Sequence, residues 1–309
     1  MSLLETALKG ILACPECRGQ LALVPTGKSL RCGGCAAETP LVEGIPVFTR
    51  GDPGPQEEEK RFRDAAAKNQ LGLPGPDLLE TAGRHHCLPV MAAHARSFRK
   101  RFSERDWILD IGTGYAWPWR EVTEAPWVIG IDFSLGNLLL AKRLLEGSDT
   151  VLLLCADAAR LPLAAGTMAG AWSAQAFQHF PDPIFRQAQK ELDRVLRKDF
   201  LLEFHHLHPA LLYRVLCKLR GKPLHRRGRC GPFETNRLSL AEWRSRWSSF
   251  RQERSKVSCG YSELFFHPEL GMRPHPYPLG LERMLTARVP ALAGMIARQG
   301  VLRVEAGSR

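Results

Sequence analysis

Four cysteines near the start of the chain are spaced to hold a metal. Cys14-Pro15-Glu16-Cys17 and Cys32-Gly33-Gly34-Cys35 form two C-x-x-C pairs separated by fourteen residues. Each pair can supply two thiolates from one tight turn, and two such turns complete a tetrahedron around zinc, or iron in the same cage. Gly33 and Gly34 let the backbone curl so that its amides face the sulfurs. A redox dithiol or two disulfides are the competing chemistries. The remaining cysteines, Cys87, Cys155, Cys217, Cys230 and Cys259, have no pairing rhythm and read as reduced thiols, which favours the metal. His85-His86-Cys87 offers similar groups, but adjacent residues on a helix point to different faces.

A second set of chemistry-bearing residues is acidic. Asp110 precedes Gly112-Thr113-Gly114, where it can accept hydrogen bonds from the glycine loop or from a ligand ammonium; beside a pyrophosphate it would be misplaced. Asp132 closes Trp127-Val128-Ile129-Gly130-Ile131-Asp132 and can accept both hydroxyls of a ribose. Asp157 follows the apolar run from Thr150 to Cys155, where a carboxylate can accept an adenine amino group. The third set is His179, then Glu203, His205, His206 and His208, candidates for a general base or for orienting a substrate.

These residues need elements to position them. Apolar runs at Trp107–Ile111, Trp127–Ile131, Thr150–Cys155, Ala169–Ala174 and Phe200–Phe204, each with helical sequence between, predict a parallel sheet. Its ligand would lie at the strands' carboxyl edge, where the acids sit. Ahead of it, LALVPTGKSLRC reads as a hairpin around Pro25-Thr26-Gly27, in a segment too small to fold without metal. Thr49–Pro55 marks a boundary, and QEEEKRFRDAAAKNQ predicts a helix, acidic first and basic later. One or two helices are expected over Asp77–Phe102, a helix over Leu281–Ile296 and a last strand over Val301–Glu305. The resulting division is residues 1–50, a linker with a helical lid at 51–105, and a large domain at 106–309.

Two resemblances follow from these motifs. The stretch from Leu8 to Arg50, with its Leu-rich turn, paired cysteines and closing Val42-Glu43-Gly44-Ile45-Pro46-Val47, resembles the Trm112-like zinc-ribbon family, whose members activate methyltransferases or are fused to them. LDIGTGYA, IGIDFS, ADAARLPL and WSAQAFQHFPDP before ELDRVL, over about residues 105–205, resemble class I, type-11 S-adenosylmethionine methyltransferases. The implied fold is α/β: a Rossmann-like sheet with an N-terminal zinc ribbon and a mostly helical C-terminal cap. The resemblance implies that Asp110, Gly112 and Gly114 hold the methionine end of S-adenosylmethionine, that Asp132 binds the ribose, and that Phe133 lies on the adenine. It further implies that Asp157 and the Ala158 amide read the adenine edge and that Gln175 sits near the sulfonium. Two departures stand out: Ala116 replaces a frequent third glycine, and Arg197-Lys198-Asp199 replaces the usual glycine-rich turn.

Charge bears on the acceptor. The net charge is +11, and residues 183–309 hold 24 of the 43 basic but only 11 of the 32 acidic side chains. Such a field favours phosphate-bearing partners: RNA, an anionic membrane surface or a nucleotide-linked metabolite. Within a basic cap insertion at about 206–250, Leu211, Leu212, Val215, Leu216 and Leu219 share a helical face, followed by an acid-free run of arginines and lysines. This helix is expected either to pack on the sheet or to dock on an anionic surface. No run is long and apolar enough to span a membrane, and a cytoplasmic location is the expectation. Methyl transfer to a small molecule, lipid or glycan precursor is the leading expectation. An RNA methyltransferase is the alternative, since the layout resembles bacterial 23S rRNA guanine methyltransferases, although their Cys-Cys-Cys-His cage is missing here. A non-catalytic scaffold that docks through the ribbon is the third.

Overall fold

A computed structural model describes residues 2–49, 57–84, 86–122, 126–221, 227–230, 233–248, 250, 255–268, 271 and 276–306. His85, residues 50–55 of the boundary segment, Gln56 and the basic residues Lys222 and Arg226 lie outside this set.

The chain opens with α1 (Leu3–Leu8), whose start is fixed by a reciprocal cap between Ser2 and Glu5. Four short antiparallel strands follow in order: β1 (Leu21–Leu23), β2 (Ser29–Cys32), β3 (Glu38–Val42) and β4 (Ile45–Pro46). Next come α2 (Glu57–Gln70), α3 (Gly75–Gly83) and α4 (Leu88–Arg99). The large domain alternates: β5 (Trp107–Ile111), α5 (Trp117–Arg120), β6 (Trp127–Asp132), α6 (Leu135–Leu144), β7 (Val151–Cys155), β8 (Met168–Ala174), α7 (Asp182–Val195) and β9 (Leu196–Leu207). The chain continues through α8 (Leu211–Leu219), a hairpin of β10 (Arg227–Cys230) and β11 (Phe233–Asn236), and α9 (Leu240–Trp247). It ends with β12 (Ser255–Ser262), α10 (Leu279–Arg288), α11 (Pro290–Ile296) and β13 (Gln299–Ala306).

Seven strands form one sheet in the order β12-β13-β9-β8-β5-β6-β7. β5 to β9 run parallel, whereas β13 runs antiparallel to both β9 and β12. The parallel strands are buried along almost their whole length, as expected of a sheet covered on both faces. The order reverses between β5 and β8, which leaves a crevice at their carboxyl ends. One face packs on α4 and α6 through Met91, Phe98, Leu138, Trp119 and Trp172. The other packs on α7 and α9 through Phe177, Phe185, Trp243 and Trp247.

The amino-terminal ribbon is not a bead on a string. Its buried residues Ala7, Leu12, Leu21 and Leu30 belong to the same apolar cluster as Leu154, Leu161, Leu192 and Leu202. Val47 pairs with Cys155 as a single parallel bridge beyond β7, and Phe48 N–H donates to the Cys155 carbonyl at 2.7 Å. Arg18 donates to Glu191 of α7 and to the Leu161 carbonyl, and Arg160 pairs with Glu16.

Candidate active site and metal centre

The four paired cysteines converge. All four Sγ atoms lie within 4.8 Å of one another, with Cys14–Cys35 at 3.7 Å and Cys17–Cys32 at 3.4 Å. A tetrahedron with zinc–sulfur bonds of about 2.3 Å has edges of about 3.8 Å, so the donor set fits zinc. Gly19 N–H and Gly34 N–H point at Cys17 and Cys32 Sγ at 3.4 and 3.3 Å, as amides do around thiolates. The Cys35 amide, with that of Gly34, draws the Cys32 thiol down to about 6. The knuckles also set Arg18 and Ala36 in left-handed backbone conformations. No disulfide joins these cysteines.

The glycine loop after β5 turns at the crevice. Gly112 has φ +67°, and a Cβ there would stand 2.3 Å from the Ala176 Cβ, so only glycine fits. Asp110 Oδ2 accepts the Thr113 hydroxyl at 2.5 Å and the Trp119 indole N–H at 2.6 Å, which ties the loop to α5. Burial pushes its acid up to about 6. Ala116, the departure from a third glycine, occupies a left-handed position at the start of α5.

Asp132 is held by the loops around it. Gly114 N–H donates to one oxygen at 3.0 Å and Ser134 N–H to the other at 2.9 Å, which leaves lone pairs on both for hydroxyl donors. Burial raises its pKa, against the pull of Arg63 on α2. Phe133 is half-buried beside it. Asp157 accepts Ala159 N–H at 2.8 Å, is raised by burial, and is followed by the buried Ala158. Gln175 has φ +61°, and its N–H donates to the His205 carbonyl at 2.7 Å. Its side-chain Nε2 is buried without a partner at the point where the strand order reverses.

The histidines separate. His179 ends a short 3-10 turn, half-buried, with Nδ1 3.4 Å from Thr235 Oγ1. His205 lies on the α4 face: its Nε2 is 3.0 Å from Glu203 Oε1, its ring 4.6 Å from Trp172 and 4.7 Å from His94. Its Nδ1 is buried without a partner. Arg303 of β13 holds the second Glu203 oxygen at 2.5 Å, and His94 Nδ1 is 3.5 Å from the first. Burial lowers His205 to about 4 despite Glu203, while Glu203 itself is held well below the usual carboxylate range by His205 and His94, against its own desolvation. His206 faces the other way, 5.0 Å from Trp243, and shares with it a cavity of about 10 Å³, room for about one water. His208 is near the Gly294 carbonyl at 3.1 Å.

Sequence reasoning missed three contributors. His94, Arg303 and Trp119 are each lone residues within unrelated elements, and no local spacing marks them. The helix α2 closes over the Asp132 side: Asp64 Oδ1 accepts Ser134 Oγ–H at 2.6 Å and Gly136 N–H at 2.9 Å, and Tyr115 O–H donates to Gln70 at 2.9 Å.

Residues 108–199 match the family described as "Methyltransferase domain". Over this segment the chain is similar to methyltransferase domains. A malonyl-[acyl-carrier protein] O-methyltransferase of Gallionella capsiferriformans (strain ES-2) is 34% identical over 123 residues, 37% of this chain. The chain spans 42% of the length of that curated relative. Among solved structures, the methyltransferase domain and its surroundings are similar to a chain in the complex of the Haloferax volcanii Trm112 methyltransferase activator with a methyltransferase (TM-score 0.51, 17% identity, 82% of this chain and 97% of that one). The [4+2]-cyclase SpnF gives TM-score 0.53 at 17% identity, over 86% of this chain and 99% of that one. Phosphoethanolamine N-methyltransferase 2 of Haemonchus contortus, in complex with S-adenosyl-L-methionine, gives 0.51 at 12% identity, over 85% of this chain and 62% of that one. These likenesses establish the methyltransferase-domain fold.

Proposed function

We propose that the chain transfers a methyl group from S-adenosylmethionine to an oxygen atom of a small-molecule or lipid acceptor. The observation that carries the acceptor side is the Glu203–His205 pair with its bare Nδ1. The cofactor would supply a methyl already activated on a sulfonium, so the protein's task is alignment. Asp132 would take the ribose hydroxyls, Asp157 and Ala158 the adenine edge beside Phe133, and Gln175 with Gly112, Gly114 and Asp110 the amino-acid end. Glu203 accepts the Nε2 proton of His205, which leaves the Nδ1 lone pair to take a proton from an acceptor hydroxyl. The neutral state favoured by burial is the state a base needs. His179 and His206 would orient the acceptor or pack against it.

An oxygen acceptor agrees with the name of the Gallionella relative, an O-methyltransferase. The cyclase among the structural likenesses is a reminder that this fold also serves other chemistry.

The test has two parts. Calorimetry measures S-adenosylmethionine binding, and methyl-labelled cofactor is then incubated with enzyme and source extract and separated into RNA, protein, lipid and small-molecule fractions. Label in the lipid or small-molecule fraction is expected. Label in RNA would overturn the acceptor class, and absence of cofactor binding would favour a scaffold. With a hydroxyl acceptor, His205→Gln is expected to lower kcat about 10²–10⁴-fold with little change in cofactor affinity.

A further inference from the structure

The helix α8 does not bury the face that its leucines define. Tyr213 and Cys217 point inward, while Leu211, Leu212, Val215 and Leu219 are exposed, Leu219 at 76%. The helix touches α11, and α11 touches α10, so the surface continues. There Leu281, Met284, Val289, Leu292 and Met295 are each 42–45% exposed. Eight large apolar side chains on one run of three helices, with Val289 between two of them, exceed the scattered singles normal on a monomer's surface.

The polar residues around them have one sign. Arg214, Lys218, Arg220, Arg283 and Arg288 are exposed on the same three helices or immediately after α8. The only acid on the three is Glu282, and it is buried, pairing with Tyr277 and accepting Leu264 N–H at 2.9 Å. An apolar face with a cationic rim and no exposed acid is complementary to a bilayer surface carrying anionic headgroups. A nucleic acid would use the cations but leave the leucines in water.

Location adds a reason. α8 follows the carboxyl end of β9, and α11 leads into Gln299, which pairs with Leu207 at that end. The apolar surface therefore adjoins the sheet edge that carries the crevice and His205.

We propose that α8, α10 and α11 form a docking surface for an anionic membrane, which seats the protein with the carboxyl edge of its sheet beside the lipid. This inference stands apart from the methyl-transfer reading, because its test needs no cofactor. The full chain is sedimented with vesicles of phosphatidylcholine alone and of phosphatidylcholine with phosphatidylglycerol, at low and high salt. It is expected to bind the anionic vesicles and to lose part of that binding in salt. The double variant Val215→Glu/Leu219→Glu, at exposed positions, should lower partition at least tenfold with an unchanged melting temperature. Arg214→Gln/Lys218→Gln should weaken binding to anionic vesicles alone. A wild-type chain that stays in solution with both vesicle types overturns the proposal. So does a dimer seen by light scattering that Val215→Glu dissociates, which would make a second copy the occupant.

Discussion

At the scale of the residue, the clearest requirement is at Gly112. Alanine there meets Ala176 and also adopts φ +67°, two separable costs. Gly112→Ala is expected to lose cofactor binding by at least tenfold, and Ala176→Gly in the same chain should recover only the steric part. The left-handed strain of about 1–2 kcal/mol would persist. Calorimetric titration of the unaltered chain and the two variants checks this. A second expectation concerns acid. His205, His206 and His208 are all lowered by burial, His205 to about 4. The unfolded chain therefore takes up protons near pH 6.5 that the folded chain refuses, and stability falls as pH drops below that value. Asp110, raised to about 6, works in the opposite direction because its folded form binds a proton earlier. Asp132 and Asp157, also raised by burial, add to that offset. Thermal melts from pH 7 to 5 should show the histidine contribution as a loss of stability that is smaller in His206→Phe. The cysteines and the strand-end acids were legible because each sits in a short local pattern. The group of His94, Glu203, His205 and Arg303 was only partly legible, since it comes from α4, β9 and β13, and side-chain proximity across a sheet leaves no spacing in the chain.

At the scale of the element, the helix expected over residues 56–70 is α2, and five parallel strands were readable from continuous apolar runs. Those strands are buried on both faces and so announce themselves. β12 escaped notice because Ser255–Ser262 is a half-exposed edge whose short alternation of Val257, Cys259 and Tyr261 is diluted by serines and a glycine. The single helix expected over Leu281–Ile296 is two, broken at Val289-Pro290, where proline disfavours a helical predecessor. The C-terminal cap is helical in α8 and α9, with a hairpin between them, and β12 and β13 complete the sheet. The apolar face of α8 was readable, but its direction was not: amphipathicity says that a helix has a face, not what covers it. The least expected arrangement is α2 across α6, at a contact so close that a Cβ on Gly136 would stand 2.9 Å from the Ala67 Cβ. Asp64 fastens it to the start of α6. Asp64→Ala is expected to speed cofactor release several-fold, with a smaller effect on melting temperature, and stopped-flow displacement would report it.

At the scale of the molecule, ribbon and sheet share one apolar core. Stripping zinc with a chelator is therefore expected to lower the melting temperature of the whole chain in one transition, read by calorimetry; two separated transitions would make the ribbon an independent unit. Structural zinc contributes about 10–16 kcal/mol to small ribbons, enough to dominate this one. The shared core also has a consequence during synthesis. Leu12, Leu21 and Leu30 leave the ribosome well before Leu154, Leu192 and Leu202, the partners that cover them. At about 5–20 residues per second, the ribbon waits roughly 5–40 s with its apolar side uncovered. Metal captured in that interval would hold the nascent segment in shape until its neighbours arrive. Scarcity of zinc would then cost the cell newly made chains, lost to chaperones and proteases, before it cost the activity of any finished molecule.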